Sequence, residues 1–127
     1  MFPVNDPASC ASVSQKAQTT ETQGQVKWYC KSGWTVAKVK SQIHAIAVWA
    51  KDKGVSAAAG EFGILSDRPA PTRVAYLRAI REACEADGMG WSLWGYDDGF
   101  GFGIPLDKAA GTLDPAILNA LGLRAPG

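Results

Sequence analysis

The stretch Val55-Ser56-Ala57-Ala58-Ala59-Gly60-Glu61-Phe62-Gly63 decides the fold. Its first five residues form a short apolar run bounded by glycines, which is typical of a parallel strand buried on both faces. The glycines beside Glu61 and Phe62 let the backbone turn sharply without a Cβ clash. In α/β sheets and barrels, ligands bind where the parallel strands end at their carboxyl side. The sequence therefore predicts that Glu61 stands at the mouth of such a sheet.

A helical period precedes this strand. Thr35 is the predicted N-cap of the helix and Gly54 its C-terminal stop. Trp49, near the end of the helix, is predicted to lie in the core. Apolar residues recur at spacings of three and four, as on one face of an amphipathic helix: Val36, Val39, Ile43, Ile46 and Ala50.

The elements after Glu61 continue the alternation of helix and strand. A helix is predicted from Thr72 to Gly88, a second apolar strand at 89–96 and a glycine-rich loop at 97–103. A short helix then begins at Asp114 and Pro115. This order predicts parallel βα units of an α/β protein. Only two strands are evident, however, and two parallel strands alone do not make a stable sheet.

Composition and charge describe a globular domain. The chain has 127 residues, of which 46% are hydrophobic and 20% charged, and its net charge is +1. This length suits one domain. The mixed, nearly neutral charge predicts no nucleic-acid partner. No apolar run reaches the eighteen or more residues of a membrane span, so no membrane partner is predicted. The N-terminus lacks the features of a signal peptide.

Residues 1–33 are predicted to form a loop-rich N-terminal segment, because Ser, Thr, Gln, Ala and Pro dominate it without an apolar period. A disordered tail over residues 8–25 is the alternative. Cys10 and Cys30 flank this polar stretch and can form a disulfide in an oxidising compartment, whereas Cys84 is expected in the core. None of the three cysteines has metal-ligand spacing, and neither a cofactor nor a metal is predicted.

Four ordered blocks carry a resemblance to a known family: 43–50 with Gly54-Val55, then Gly60-Glu61-Phe62-Gly63, then 73–78 with 90–96, and finally 113–123. In this order and spacing they resemble the end of family 5 glycoside hydrolases, the cellulase-type (β/α)8 barrels. The resemblance covers roughly residues 34–123. It implies a partial (β/α)8 TIM barrel that holds the last two to three βα units, with residues 34–127 as the C-terminal part of the barrel.

The resemblance also implies roles for individual residues. Glu61 matches the catalytic nucleophile at the end of the seventh strand of the barrel, and Trp94 matches the tryptophan under the sugar at the cleavage point. A carboxylate can attack an anomeric carbon, and an aromatic ring can stack on a glucose ring. Four further aromatic residues in or near predicted loops are candidate sugar contacts: Trp28, Trp34, Tyr96 and Phe100.

Two functions from different classes follow from the resemblance. The first is a retaining glycoside hydrolase that cleaves O-glycosidic bonds of a β-glucan or cello-oligosaccharide, as an endo-β-1,4-glucanase does. Retaining hydrolysis needs a second carboxyl group about 5 Å from the first. No Asn-Glu pair precedes Glu61, and Glu21 in its polar stretch is a poor substitute. A C-terminal fragment that is inactive alone, with the N-terminal part of the barrel missing, is therefore expected. The alternative is a non-catalytic module that binds glucan or completes a barrel. The polymeric substrates of the family imply a secreted or periplasmic protein.

Overall fold

A computed structural model of the protein describes residues 7–96, 100–107 and 111–124. Five helices and four strands follow one another along these ranges. The helices are α1 (Pro7–Lys16), α2 (Thr20–Ser32), α3 (Val36–Lys53), α4 (Ala70–Ala86) and α5 (Pro115–Ala120). The strands are β1 (Ala58–Phe62), β2 (Gly90–Leu93), β3 (Pro105–Asp107) and β4 (Thr112–Leu113).

The two predicted strands pair in parallel. Ala58 stands opposite Gly90, Ala59 opposite Trp91 and Phe62 opposite Leu93. Because α4 connects β1 to β2, this part of the chain is a βα unit followed by its neighbouring strand. The strands β3 and β4 form a separate antiparallel ribbon, which the sequence did not predict. The fold is thus a partial α/β barrel, as predicted.

Strand β1 differs from its prediction in two respects. It begins at Ala58 instead of Val55, and burial on both faces is wrong, since Ala58, Gly60 and Glu61 are exposed while Phe62 is buried. The physical reason is that α4 packs on the pair of strands from one side only. The second strand is also shorter than predicted, with four residues from Gly90 to Leu93, so that Trp94 and Tyr96 belong to the loop after β2.

Helix α3 has the predicted ends. The Thr35 side chain accepts a hydrogen bond from the backbone N–H of Lys38 at 3.2 Å, and Gly54 ends the helix in the left-handed region with φ 65°. The prediction that Trp49 lies in the core is wrong, because 58% of it is exposed. Among the described elements α3 packs mainly on α4, and this contact buries Val39 while the far side of the helix remains open.

The core lies between the two parallel strands, α4 and α5. Phe62 of β1 packs edge-on against Trp91 of β2, with ring centroids 5.9 Å apart. Helix α5 has the predicted N-cap, because Oδ1 of Asp114 accepts hydrogen bonds from the N–H groups of Ala116 and Ile117. The buried side chains of this cluster are Phe62, Leu77, Ile104, Ile117, Leu118, Ala120 and Leu121.

The loop-rich prediction for residues 1–33 is wrong where the structure describes them. Helices α1 and α2 form a hairpin that the Cys10–Cys30 disulfide closes, with 5.8 Å between the two Cα atoms. Thr19 caps α2 by accepting a hydrogen bond from the N–H of Thr22. The hydrophobic periodicity did not predict α2 because none of its residues is fully buried, so its sequence has no apolar stripe. The disulfide and the cap hold the hairpin instead of a core.

Reduction of the disulfide is expected to melt the α1–α2 hairpin and leave the core intact. A bond across a sequence separation of 20 residues stabilises the hairpin by about 3 kcal/mol through loop closure, and neither buried cluster contains a residue of α1 or α2. Dithiothreitol should therefore lower the helical circular dichroism signal without shifting the thermal midpoint of the remaining structure.

A thiol-labelling control accompanies this measurement. Cys84 is fully buried, and burial raises the pKa of its thiol above the usual value, helped by the charges of Asp87 and Glu85. It should therefore resist alkylation at neutral pH, so that only Cys10 and Cys30 react after reduction. A coincident loss of all helical signal with labelling of Cys84 would contradict an independent hairpin.

Candidate functional site at the carboxyl ends of β1 and β2

Glu61 is the last residue but one of β1 and directly precedes the buried Phe62. The pairing of β1 with β2 is irregular between Ala59 and Phe62, the segment that contains Glu61. Glu61 is exposed, and within the described ranges its carboxylate makes neither a hydrogen bond nor an ion pair. The carboxylate is therefore available to a ligand at the end of the strand.

Trp94 lies beside Glu61 at the end of the neighbouring strand. Its backbone N–H donates a hydrogen bond to the carbonyl of Phe62 at 2.8 Å. Phe62 pairs with Leu93, so Glu61 directly precedes and Trp94 directly follows this last paired position of the two strands. The Trp94 residue is 42% exposed. The fold thus brings the predicted carboxylate and the predicted aromatic platform to one edge.

Gly63 allows the backbone of Trp94 to approach the end of β1, a role that the sequence alone did not predict. A Cβ at this position would overlap the carbonyl oxygen of Trp94 and stand 3.0 Å from Cδ1 of Phe102. Only a glycine leaves room for the backbone of Trp94 at this distance. The GEFG tetrapeptide therefore combines the carboxylate with the small residue that admits its aromatic neighbour.

Two loops meet above this edge. The loop after β1 and the loop after β2 are joined where Gly101 O accepts hydrogen bonds from the N–H and the Oγ of Ser66, both at 2.8 Å. Tyr96 and Phe100 belong to the second loop, with 62% and 78% of their surfaces exposed. Within the predicted glycine-rich loop, residues 97–99 lie outside the described ranges. Both aromatic side chains thus lie near the edge that holds Trp94.

Helix α2 supplies a wall to a cleft at the same edge. The cleft has a volume of about 570 Å³. Trp28 of α2 lines it from one side, and Gly63 and Ile64 line it from the other. Tyr29 and Tyr76 also line it, and burial raises the pKa of both phenols above 10, with the Tyr76 charge adding to the shift of Tyr29. Both tyrosines therefore remain neutral hydroxyl groups at neutral pH. The sequence missed both.

The structure does not bring Trp34 to Glu61. Trp34 is partly buried against the Val39–Ala79 cluster between α3 and α4, and the Lys38 ammonium stands over its ring, 5.3 Å from the centroid. The cleft that it lines contains Ile43, Ile46 and Ile80 instead of the residues after β1. Trp34 therefore packs helices together in this structure.

The described acids other than Glu61 are paired or lie on other elements, and Asp67 in the loop after β1 is held by two hydrogen bonds from Arg68. Glu21 lies in the first turn of α2 and is exposed, and Glu85 of α4 is paired with Arg81. His44, the single histidine, lies 2.7 Å from Asp87, which precedes β2 and so belongs to the opposite end of the sheet. The described residues also contain no group of three or more side chains that could hold a metal ion. The site therefore consists of one carboxylate among aromatic rings.

These features define the class of protein. Parallel strands joined by a helix, with a carboxylate and a tryptophan at their carboxyl ends, are the plan of (β/α)8 barrel enzymes, whose active sites lie at that face. The part of the chain that the structure describes contains two of the eight parallel strands that such a barrel needs.

Comparisons with known proteins agree with this class. The chain is 34% identical to Endoglucanase 3 of Fibrobacter succinogenes over 118 residues, which cover 88% of this chain and 18% of the relative. The fold matches the cellulose synthase subunit Z of Clostridioides difficile with a TM-score of 0.60 and 29% identity, over 82% of this chain and 29% of that one. No family model matches the chain.

A second solved structure, a hyperthermophilic endo-β-1,4-glucanase in complex with substrate, gives a TM-score of 0.60 at 26% identity, over 68% of this chain and 27% of that one. The predicted resemblance is confirmed: the chain is similar in sequence and fold to part of a family 5 endoglucanase. It spans less than a third of the length of each of these proteins.

Proposed function

We propose that this chain supplies the nucleophile and the sugar platform of a retaining β-1,4-glucanase active site. Glu61 is the nucleophile and Trp94 the platform. The observation that carries the proposal is the placement of an exposed carboxylate, which has no partner among the described residues, and an exposed indole at the ends of adjacent parallel strands. The similarity to an endoglucanase and to an endo-β-1,4-glucanase supports a β-1,4-glucan as substrate.

The chemistry assigned to Glu61 is a displacement at the anomeric carbon. A carboxylate oxygen forms a bond to C1 of the sugar while the bond from C1 to the leaving oxygen breaks, and the electron pair stays on that oxygen. A glucan leaving group must receive a proton as it departs. Water then hydrolyses the glycosyl ester and restores the carboxylate, with overall retention at C1.

The proton donor comes from outside these 127 residues in this proposal. Asp67, the described carboxyl group in the loop after β1, is paired with Arg68, and the remaining strands of the barrel would carry the acid/base residue. The chain alone is therefore inactive on glucan. This requirement disappears for a substrate whose leaving group is already stable as an anion, such as dinitrophenolate.

The aromatic residues near the edge extend the proposed glucan surface. Tyr96 and Phe100 lie in the loop after β2, and Trp28 stands across the cleft from Ile64. Trp34 is left out of the proposed surface, since it packs between helices. The expectation of a secreted or periplasmic protein is retained as a proposal. It is supported by the Cys10–Cys30 disulfide, since such bonds persist in oxidising compartments. No described helix has the length and apolar character that a membrane crossing needs.

Replacing Trp94 with alanine is expected to weaken glucan binding about tenfold, because loss of a stacked ring costs about 1.4 kcal/mol. The measurement is a titration with cellohexaose followed by NMR chemical shifts. The matched control is Trp49→Ala, which removes an even more exposed indole from α3, since 58% of Trp49 and 42% of Trp94 are exposed. If the two variants bind equally well, Trp94 has no special role in binding.

The assay that tests the proposed function compares two substrates. The purified chain should release dinitrophenol from 2,4-dinitrophenyl β-cellobioside faster than buffer does, and should release no reducing ends from carboxymethyl-cellulose. Circular dichroism establishes that the chain is folded under the same conditions. Release of reducing ends from carboxymethyl-cellulose by the folded chain would show that a proton donor lies within it, and the proposal of an outside donor would fail.

A barrel-completing module is the second candidate function, and the surface of α3 favours it. Ile46, Val48 and Trp49 are each at least half exposed, and β1 and β2 pair with no other described strand. Unpaired strand edges and large apolar side chains are covered in stable proteins. The proposed occupant is a polypeptide that carries the remaining parallel strands of the barrel.

Co-expression tests this second function. The tagged chain is produced together with the first six βα units of a homologous endoglucanase, and the two are expected to purify together and to hydrolyse carboxymethyl-cellulose. Trp49→Glu should abolish the association, while Lys51→Glu on the same helix should not. Equal recovery with both variants would show that the apolar surface of α3 is not the interface.

A further inference from the structure

Arg73 is a charged residue of α4 that the fold places almost entirely inside, with 8% of its surface exposed. Its Nη2 donates a hydrogen bond to Gly103 O at 2.9 Å, and its Nη1 lies 3.8 Å from Oδ2 of Asp114. The remaining donor, Nε, is buried and has no hydrogen-bond partner in the described ranges. A buried donor without an acceptor costs about 1–3 kcal/mol, and native proteins keep few of them.

A small cavity lies against this side chain. Its volume is about 10 Å³, close to the roughly 10–15 Å³ that one water molecule needs. Arg73 lines it together with Trp94, Gly95 and Gly103, and Gly103 O already accepts a hydrogen bond from Nη2 of Arg73. The other lining residues are apolar: Ile64, Leu77, Leu93, Ile104 and Ile117.

The cavity adjoins the segment that carries the proposed sugar platform. Trp94 is held by its hydrogen bond to Phe62, and two residues later Tyr96 O accepts a hydrogen bond from Ile104 N at 3.0 Å. The Trp94–Gly95 peptide lies between these two bonds, where it meets the cavity. A link at this point would fix the backbone that orients the indole of Trp94.

We propose that one buried water molecule joins Nε of Arg73 to the backbone of the Trp94–Gly95 segment, and that Arg73 is thereby a positioning residue for Trp94. The inference rests on the proposed role of Trp94 as the sugar platform. The water accepts from Nε and donates to backbone carbonyl oxygen, so each polar group in the cavity gains a partner. Without Nε the segment loses its connection to α4, and the indole is held less firmly.

The unmodified chain tests the water directly. In ¹⁵N-labelled protein the Nε–H of Arg73 should show a cross-peak to a long-lived water molecule, and the resonance is assigned by its loss in Arg73→Lys. Arg81 is the internal control, because its Nε already donates to Ala120 O at 2.9 Å. Absence of a water cross-peak at Arg73 overturns the proposal.

Two variants separate positioning from mere stability. Arg73→Lys keeps a positive charge beside Asp114 and removes Nε. Asp114→Asn removes the ion pair but keeps the oxygen that caps α5 and leaves Arg73 in place. We expect Arg73→Lys to shift the Trp94 indole N–H resonance and to lower the affinity for cellotetraose about fivefold. Asp114→Asn should leave the resonance in place and change the affinity less than twofold.

The outcomes distinguish this inference from the proposed function. Equal effects of the two variants on the indole resonance would reduce Arg73 to a structural residue and overturn the inference. If the unmodified chain does not bind cellotetraose, the role of Trp94 in glucan binding fails. The cross-peak and the indole resonance still decide whether Arg73 positions the segment.

Discussion

Replacing Glu61 with glutamine is expected to reduce dinitrophenol release from dinitrophenyl β-cellobioside to the rate of buffer alone. Glutamine has the shape of glutamate but no charge, and a neutral amide does not displace the leaving group at C1. In a complete barrel the same change should lower turnover of carboxymethyl-cellulose about 10⁶-fold, the scale seen when a nucleophile is removed. Binding of cellohexaose should remain within twofold, because the aromatic surface is unchanged.

Two controls define this result. Glu21→Gln changes an exposed glutamate of α2 and should leave the release of dinitrophenol unaltered. Glu61→Ala with added azide should recover release and give the α-azide, because the small anion attacks C1 from the space that the carboxylate occupied. If Glu61→Gln releases dinitrophenol at the original rate, or if Glu21→Gln loses the release, then Glu61 is not the nucleophile and another residue has that role.

Replacing Gly63 with alanine is expected to disrupt the site and the fold together. The added Cβ would overlap the carbonyl oxygen of Trp94, so the backbone at the start of the loop after β2 would have to move away from β1. Forcing an extra methyl group into packed backbone costs about 3 kcal/mol. We expect a loss of that size in the free energy of unfolding in urea, and at least a tenfold loss of cellohexaose affinity.

Gly60→Ala is the matched control for this variant. It adds the same methyl group to the same strand, but a Cβ at Gly60 meets no atom within 4 Å. Its unfolding free energy should change by less than about 0.5 kcal/mol, as for most surface substitutions. If Gly63→Ala is as stable as Gly60→Ala and binds glucan normally, the close approach of Trp94 is not what requires glycine.

Helices with a local signature could be predicted from the sequence. Thr35 and Gly54 flank α3, and Asp114 caps α5, as their residue types indicate. Caps and stops depend on hydrogen bonds within four residues, so the sequence contains the necessary information. The parallel pairing of β1 with β2 followed from their alternation with helices.

The α1–α2 hairpin could not be predicted in this way. Its helices bury no continuous stripe, and α2 instead depends on the Cys10–Cys30 disulfide and the Thr19 cap. A polar composition is therefore compatible with a helix when a covalent bond replaces the core. The wrong prediction for Trp49 has a different cause. The apolar period of α3 correctly predicted a helix, but among the described elements mainly α4 packs on it, and Trp49 stays exposed.

The candidate site was predicted in part. Glu61 and Trp94 were singled out by resemblance, and the parallel register then places them side by side. The need for glycine at position 63 and the buried guanidinium of Arg73 depend on contacts between residues about thirty apart in sequence. No local pattern encodes such contacts.

Trapping the covalent intermediate tests the central claim most directly. The chain is incubated with 2,4-dinitrophenyl 2-deoxy-2-fluoro-β-cellobioside, whose fluorine slows hydrolysis of the glycosyl ester and whose leaving group needs no proton donor. We predict one added fluorocellobiosyl group per chain, which peptide mass spectrometry locates on Glu61 and which is absent from Glu61→Gln. An adduct on another carboxylate, or equal labelling of the two proteins, would contradict the assignment of Glu61 as the nucleophile.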